Sequence, residues 1–211
     1  MKKIIFLFIS IISIQFSAVA QSEAYTKKMQ QTLQLFDSAK NVQDLQEVSA
    51  TFERIGDVEK TQWLPYYYAA LCQTNIGWMD TKTDKDQLAE HTLAIIAKAD
   101  ALAPNNSEIF CLRSMIATQQ MLVDPQSRFM KYGALQTEMV TKAKLADATN
   151  PRPYYLEGAN IFNTPVAFGG GKDKAKPIFE KAMALFNAAK PLPLYPSWGK
   201  KQTVDMLAQC Q

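Results

Sequence analysis

Few residues of this chain could take part in catalysis. His91 is the single histidine among 211 residues, so a serine or cysteine nucleophile would have to be activated by this one imidazole. Its neighbours Glu90 and Thr92 do not suggest such a group. Glu157 is the carboxylate that we would name for acid–base chemistry, although a solvated or ion-paired side chain is the simpler interpretation. We therefore predict that the protein is not an enzyme.

The acidic segment 80–86 does not meet the requirements of a calcium-binding loop. Two lysines, Lys82 and Lys85, interrupt it, and it lacks the alternating aspartates and the glycine of that motif. It is more typical of a turn between two helices, with Thr83 or Asp84 capping the second helix. No set of ligands has the spacing of a zinc site either, so we predict no metal and no other cofactor.

Three consecutive glycines stand ahead of Lys172 at the start of a predicted helix. Free amides at a helix start attract anions, which is the basis of phosphate-binding loops. Here Asp173 occupies the place of the required Ser or Thr, and no strand precedes the glycines. We predict instead an elbow between two helices, with an aromatic side chain that could fold over a neighbouring groove as a lid. The elbow and lid residues are Phe168, Gly169, Gly170 and Gly171.

Clustered aromatic residues are the best candidates for a functional site. Tyr66, Tyr67 and Tyr68 are consecutive, and a helix with 3.6 residues per turn cannot point all three side chains inward. At least one of them is therefore expected to face solvent or a groove, and the same argument applies to Tyr154 and Tyr155. Most of the aromatic residues should fill the core between helices. An exposed tyrosine beside Asn and Gln suits a groove that holds a peptide.

These side chains belong to a repeat of 44 residues. The motif Pro65–Tyr67 returns as Pro153–Tyr155, and a small residue follows each of the first three repeated aromatic residues by four positions. A fixed period of roughly 20–50 residues indicates stacked supersecondary units. The repeated aromatic residues are Tyr66, Phe110, Tyr154 and Trp198, and the small residues are Ala70, Ser114 and Gly158.

Apolar residues three and four apart predict helices throughout, with breaks about every 20 residues. The sequence thus predicts an all-α solenoid of about four antiparallel helix pairs, closed by a C-terminal capping helix, in one domain over residues 21–211. Gly56 is expected to end the second helix. The predicted helices span residues 23–40, 42–55, 62–79, 84–102, 107–123, 126–149, 153–163, 172–189 and 197–209.

The first helix of each pair should line the concave side of the stack, because each unit rotates slightly against the last. Positions one, five and nine residues after the repeated aromatic residues then share this face. The predicted groove residues that would contact a partner or ligand are Tyr67, Leu71, Asn75, Met115, Gln119, Tyr155 and Asn163.

The packing pattern resembles that of tetratricopeptide repeats. Ala175, Phe179 and Ala182 show the small-large-small spacing of the second helix, and Tyr154 with Gly158 shows the aromatic-small pair of the first. The resemblance covers most of residues 21–211. It departs from the family in its period, which is 44 residues instead of the usual 34 or so, and in lacking the Trp-Leu-Gly-Tyr run.

The segment 163–175 is similar to the glycine-rich elbow of some exported tetratricopeptide proteins. Among these is the helical partner subunit of certain periplasmic solute transporters. This second resemblance implies a small-molecule-binding component that works beside a transporter.

Three cysteines, Cys72, Cys111 and Cys210, are too few for a disulfide framework in a chain of this length. Cys72 and Cys111 fall on equivalent helices of neighbouring units, which leaves a single bridge open. The sequence favours buried thiols that act as small apolar residues.

Residues 1–20 have the features of a bacterial signal peptide. Lys2 and Lys3 precede an apolar stretch, and Ala18-Val19-Ala20 provides a small-x-small cleavage site, with a retained N-terminal anchor as the alternative. We expect cleavage after Ala20, a periplasmic or secreted protein, and no membrane insertion afterwards. Removing two lysines from 23 basic residues leaves 21 against 20 acidic residues, so no nucleic-acid partner is indicated.

The function that we predict from the sequence is an exported scaffold that binds a peptide or partner protein in its concave groove. The alternative is the small-molecule-binding component beside a periplasmic transporter. A closed pocket beneath Phe168 would favour the alternative, whereas an open groove would favour the scaffold.

Overall fold

The computed structural model describes residues 23–190 and 192–210, and these residues form helices joined by short turns, with no strand among them. The predicted signal peptide, residues 1–20, lies outside the described residues. None of the described helices is both long and apolar enough to cross a lipid bilayer. The helices are α1 (23–38), α2 (Val42–Glu59), α3 (Leu64–Met79), α4 (Lys85–Leu102), α5 (Ser107–Val123), α6 (Pro125–Arg128), α7 (Ala134–Ala146), α8 (Arg152–Asn163), α9 (Lys172–Ala188) and α10 (Lys200–Gln209).

Neighbouring helices pack on each other along the chain, which confirms the all-α, solenoid-like fold. Helix α2 runs antiparallel to α3, since Gly56 contacts Tyr66 while Ser49 donates a hydrogen bond to the carbonyl of Ala69. Helix α3 packs on α4, α5 on α7, and α8 on α9, and α10 covers the end of the stack against α9.

Helices α3, α5 and α8 lie side by side in the same register. Tyr67 meets Glu108, Thr74 meets Gln119, and Glu108 meets Arg152 at sequence separations of 41, 45 and 44 residues. The 44-residue period is therefore the step at which equivalent residues of neighbouring units come into contact. Tyr66, Phe110 and Tyr154 all lie in the first turn of their helices.

Trp198 does not follow this pattern. It lies in the turn before α10, just ahead of the capping residue Gly199, and not inside a helix. The fourth unit thus begins with a non-helical segment, and only α10 follows it. The predicted start of the last helix at residue 197 was wrong, because Pro196 and Gly199 (φ 103°) keep the backbone out of the helical region.

Two helix boundaries also differ from the sequence prediction. Gly56 does not end α2. It lies inside the helix, where the absence of a side chain makes room for the ring of Tyr66. The last helical residue is Glu59, and Lys60 (φ 50°) is the C-terminal cap. The predicted helix 126–149 is broken into α6 and α7 by a π-helical turn, Phe129–Gly133. Such turns are rare and usually span a single turn, so a pattern of apolar residues three and four apart does not reveal them.

All three tyrosines at the start of α3 are buried, contrary to the prediction that one would be exposed. The first part of helix α3 is enclosed by α2, α4 and α5 and by residues around Leu194 and Trp198. The expectation of an exposed tyrosine was wrong because this part of the helix has no face in contact with solvent. The same burial explains why apolar residues occupy nearly all positions of this helix.

A second cluster of apolar residues holds α8, α9 and α10 together. Phe179 of α9 fits against Gly158 of α8, with Tyr155 and Phe162 on either side of it. The three cysteines are free, buried thiols, and burial raises the pKa of Cys72 and Cys111 above the usual range. Cys72 and Cys111 therefore act as apolar core residues in this fold.

Candidate functional site

The predicted groove residues do not share one open surface. Tyr67, Leu71 and Gln119 are buried in the core, with Tyr67 fully so, which corrects the expectation that they face an open groove. The Gln119 amide donates to the carbonyl of Thr74 at 2.7 Å. The remaining predicted residues are more accessible: Asn75, Met115 and Tyr155 are half-buried, and Asn163 is exposed. Their contact with a partner stays a prediction.

The surface at the start of α3, which belongs to the predicted concave side, is covered by a segment of the chain itself. We call residues 192–199 the strap. The Tyr68 hydroxyl donates to the carbonyl of Leu194 at 2.9 Å, and the ring of Tyr195 packs edge-on against Trp63. Trp198 packs edge-on against Tyr155. The strap therefore joins the fourth unit of the repeat back to the first and fills the space next to Tyr67.

A buried polar network lies beneath the strap. The carboxylate of Glu108 accepts hydrogen bonds from Arg152 at 3.0 Å, from Asn150 at 2.8 Å and from Tyr67 at 3.3 Å. Arg152 also donates to the carbonyl of Pro196 in the strap. Burial raises the pKa of Glu108, although the guanidinium and the hydrogen bonds oppose this rise. Burying a charged pair is costly, so its hydrogen bonds must be nearly complete for the arrangement to persist.

This network was missed from the sequence. Glu108 and Arg152 are separated by one period of 44 residues, which is the signal that could have revealed the pair. Opposite charges at the same position of neighbouring units come into contact when the units stack.

A cleft of about 640 Å³ opens at the other end of α3 and α5. Trp78 follows Tyr67 by 11 residues, which on a helix is about 16 Å along the axis and roughly 20° around it. Leu122 follows Cys111 by the same step. Trp78 and Leu122 therefore lie on the same side of α3 and α5 as Tyr67 and Cys111, at the ends of these helices that the strap does not cover. The lining of the cleft comprises Gly77, Trp78, Thr81, Thr83, Asp84, Lys85, Asp86, Gln119, Leu122 and Val123.

Three large apolar side chains lie in this cleft, and six of its ten lining residues are polar or charged. Trp78 is 46% exposed, and Leu122 and Val123 are exposed beside it. These side chains are open to solvent and could therefore contact an apolar ligand in the cleft. The volume is also within the usual range for small-molecule sites, roughly 300–1,000 Å³.

The polar rim of the cleft comes from the turn between α3 and α4. Asp84 caps α4, as predicted for Thr83 or Asp84, since its carboxylate accepts from the amides of Asp86 and Gln87. The ammonium group of Lys85 donates to the carbonyl of Asp80. Asp86 pairs with Arg128 at 2.8 Å, which ties the rim to the last residue of α6. The charge of Lys85 also helps to lower the pKa of the Asp80 carboxylate, after the hydrogen bonds from Thr83 and the Lys82 amide. The rim therefore offers one lysine beside acidic groups that are already engaged.

The predicted lid does not cover a groove. Phe168 is 80% exposed and lies in a short 3-10 turn, Val166–Phe168, between α8 and α9. Gly169 and Gly171 have positive φ, and a side chain at Gly170 would collide with the backbone of Thr164. The glycines are thus explained by the elbow that they form, and the cleft lies at a different place.

The residues considered for catalysis are not brought together. His91 is exposed on α4, and Glu157 on α8 pairs with Lys144. Among residues 23–190 and 192–210, no group of three or more His, Cys, Asp or Glu side chains could hold a metal ion.

Comparison with known proteins gives one informative relationship. Neither the models of protein families nor the curated proteins match this chain. Among solved structures, it is similar to the HusA haemophore from Porphyromonas gingivalis, with 34% sequence identity and a TM-score of 0.79. The match covers 90% of this chain and 92% of that protein. The chain therefore belongs to the same family as the HusA haemophore.

Proposed function

We propose that this protein is an exported carrier of haem or a closely related porphyrin. The observation that carries the proposal is the likeness to a haemophore, a haem carrier by name, over nine tenths of the chain at 34% identity. It favours the small-molecule alternative of the sequence prediction over the peptide scaffold. It also favours binding over catalysis, in agreement with the scattered positions of His91 and Glu157.

The cleft at the ends of α3 and α5 is the site that we assign to the porphyrin. A porphyrin is a flat, apolar ring with two carboxylates at one edge, so it requires apolar contacts to its faces and a cation near its rim. Trp78 and Leu122 would contact the ring, because both are partly exposed in the cleft. Lys85, on the rim, would pair with a carboxylate in place of its present contact with the Asp80 carbonyl.

We assign His91 no contact with the porphyrin. That residue is not part of the cleft lining, and it follows Lys85 by six residues, about 9 Å along α4. The cleft residues that we name act on the porphyrin ring and its carboxylates.

A spectrophotometric titration of the purified protein with haemin tests this function. The proposal predicts a saturable change of the Soret band at one haem per chain, and co-elution of haem with the protein in gel filtration. A heat-unfolded sample of the same protein serves as the control for non-specific uptake. A Soret band that changes no more than it does with the unfolded control would refute the proposal.

Export is part of the proposal because a haem carrier of this kind works outside the cytoplasm. It rests on the predicted signal peptide, residues 1–20. Determination of the N-terminus of the secreted protein is expected to give Gln21 as the first residue. A product that retains residue 1 would contradict it.

A peptide groove is the second candidate. The specific observation in its favour is that the strap, a proline-containing segment without helical structure, already lies against Tyr67, Tyr68 and Tyr155 on the concave face. Aromatic-lined surfaces of this kind hold proline-rich segments in other proteins. The same observation argues against an empty groove, since the space is occupied.

A further inference from the structure

The strap contacts the rest of the molecule as a bound peptide would. Side chains of the helices donate to its backbone carbonyls: Tyr68 to Leu194 at 2.9 Å, and Arg152 to Pro196. These two acceptors are two residues apart. Contacts from side chains to a backbone are a common way to hold a segment in a groove, and pockets for its side chains then provide the specificity.

Two side chains of the strap supply such specific contacts. The ring of Tyr195 meets Trp63 with their centroids 5.7 Å apart. Trp198 lies 5.2 Å from the guanidinium of Arg152, and its indole nitrogen donates to the Tyr67 hydroxyl at 2.7 Å. The surface that receives the strap is therefore aromatic with one central cation.

The strap is held under local strain, and its first residues are more exposed than Pro196 and Gly199, which are buried. Its first four residues form a turn that the amide of Tyr195 closes on the carbonyl of Leu192. Leu194 occupies the third position of this turn with φ 67°, a left-handed conformation that favours glycine and is strained for leucine. Tyr195 is 38% exposed, and Leu192 is more exposed still.

A further sign of imperfect fit lies beneath the strap. The Nε atom of Arg152 is buried and has no hydrogen-bond partner. An unpartnered buried donor is unfavourable, because it has lost its hydrogen bond to water without gaining another. A segment that brought a hydrogen-bond acceptor to this Nε atom would therefore fit the site better than the strap does.

We propose that the strap occupies, within the same chain, a peptide-binding site formed by Trp63, Tyr68 and Arg152, and that a partner segment of the same chemistry competes for it. That chemistry is a short turn with prolines and aromatic residues, as in Leu-Pro-Leu-Tyr-Pro-Ser-Trp of the strap itself. The inference does not rest on porphyrin binding, because the cleft lies at the opposite ends of α3 and α5.

Fluorescence anisotropy with a labelled synthetic peptide tests the proposal. The peptide has the sequence of residues 190–200 and is titrated with the full-length protein and with a Trp198→Ala variant. This substitution weakens the strap and leaves Trp63, Tyr68 and Arg152 in place. We expect the variant to bind the peptide at least roughly tenfold more tightly than the unaltered protein, the effect of about 1.4 kcal/mol.

Two controls make the result specific. A Val204→Ala variant, changed at an exposed position of α10, should bind the peptide no better than the unaltered protein. A peptide with Ala in place of its Trp should bind the Trp198→Ala variant roughly tenfold less tightly than the original peptide. Equal affinities of the Trp198→Ala variant and the unaltered protein, with helical circular dichroism retained, would overturn the proposal.

Hydrogen exchange on the unaltered protein decides the matter if the Trp198→Ala variant does not fold. A releasable strap predicts that the amides of residues 194–199 exchange at least roughly tenfold faster than those in the middle of α3, and faster again with excess peptide. Protection equal to that of α3, and unaffected by the peptide, would show that the strap is a permanent part of the core.

Discussion

The indole nitrogen of Trp198 donates a hydrogen bond to the hydroxyl of Tyr67 at 2.7 Å, across 131 residues of the chain. The same hydroxyl donates to Glu108, which pairs with Arg152. Tyr67, Glu108, Arg152 and Trp198 belong to the first, second, third and fourth 44-residue units, so this chain of contacts links all four. Its members are buried, except Trp198, which is half-buried. A repeat protein normally holds each unit only to its neighbours, so the link adds a long-range tie that a simple stack lacks.

Replacing Trp198 with Phe should lower the free energy of unfolding by roughly 1–3 kcal/mol. The Tyr67 hydroxyl would lose its donor while remaining buried, which is the costly case for a hydrogen bond. Urea denaturation followed by circular dichroism measures the effect. Tyr195→Phe removes one partly exposed hydroxyl of the strap and should change stability by less than about 0.5 kcal/mol. Equal effects of the two substitutions would contradict the role given to this bond.

Glu108→Ala should destabilise the protein by roughly 3–5 kcal/mol. Removing one partner of a buried pair leaves the charge of Arg152 without compensation. Asp205→Ala is the matched control, because Asp205 pairs with Lys201 on the exposed surface of α10 and should contribute less than about 1 kcal/mol. Both values come from the same denaturation experiment. A loss at Glu108 no larger than at Asp205 would mean that the buried network does not stabilise the fold.

Gly158→Ala should cost roughly 1–3 kcal/mol through overpacking. The new methyl group would lie 2.7 Å from the ring of Phe179, and both residues are buried. Gly133→Ala is the comparison, since its methyl group would lie 3.3 Å from Phe129, a half-exposed side chain that can move. Its effect should be within about 1 kcal/mol of zero, because alanine favours the helix. Thermal unfolding that ranks the two variants in the opposite order would contradict this packing.

The protein should lose stability as the pH rises from 10 to 12. Burial, with a contribution from Asp57, raises the pKa of Tyr66 to about 12, and burial raises that of Tyr25 to about 12. Because the folded pKa is above the unfolded value of 10.0, this stability is fully present below pH 10 and is lost as the pH rises through 12. Denaturation across this range, with Tyr66→Phe as the comparison, should give a smaller loss for the variant. Identical pH profiles would contradict the assignment.

Asp57 provides the acidic counterpart of that prediction. Its pKa is lowered, first by the hydrogen bond from Tyr66 and then by Lys98. In the Tyr66→Phe variant the pKa of Asp57 should rise towards its ordinary value of 3.8, and carboxyl chemical shifts followed by NMR measure it. An unchanged pKa would show that the hydroxyl of Tyr66 does not hold the carboxylate.

Much of the helical framework could be predicted from the sequence. The predicted helix 107–123 matches α5, and the elbow at residues 169–171 matches the turn before α9, because capping residues and glycines set these ends locally. That the helix pairs are tetratricopeptide units stays a prediction. The position of Gly56 inside α2 could not be predicted, since it depends on the Tyr66 ring of another helix.

The site was less accessible to sequence reasoning. Tyr67 was assigned to a groove because its own helix was considered alone, whereas the strap covers it from more than a hundred residues away. Trp198 shares the repeat position of Tyr66 but begins no helix, so the repeat pattern concealed its role. Trp78 and Leu122 were outside the predicted groove. They lie on the same side of their helices as the groove positions Tyr67 and Cys111, about three turns further along.

Haemin titration of a Trp78→Ala/Leu122→Ala variant tests the central claim most directly. The account predicts affinity at least roughly tenfold weaker than that of the unaltered protein, because the variant loses apolar contacts to the ring. Leu145→Ala removes a comparable side chain that is 82% exposed on α7, away from the cleft, and should bind haemin as the unaltered protein does. Equal affinity of the cleft variant and the Leu145→Ala variant would contradict the account.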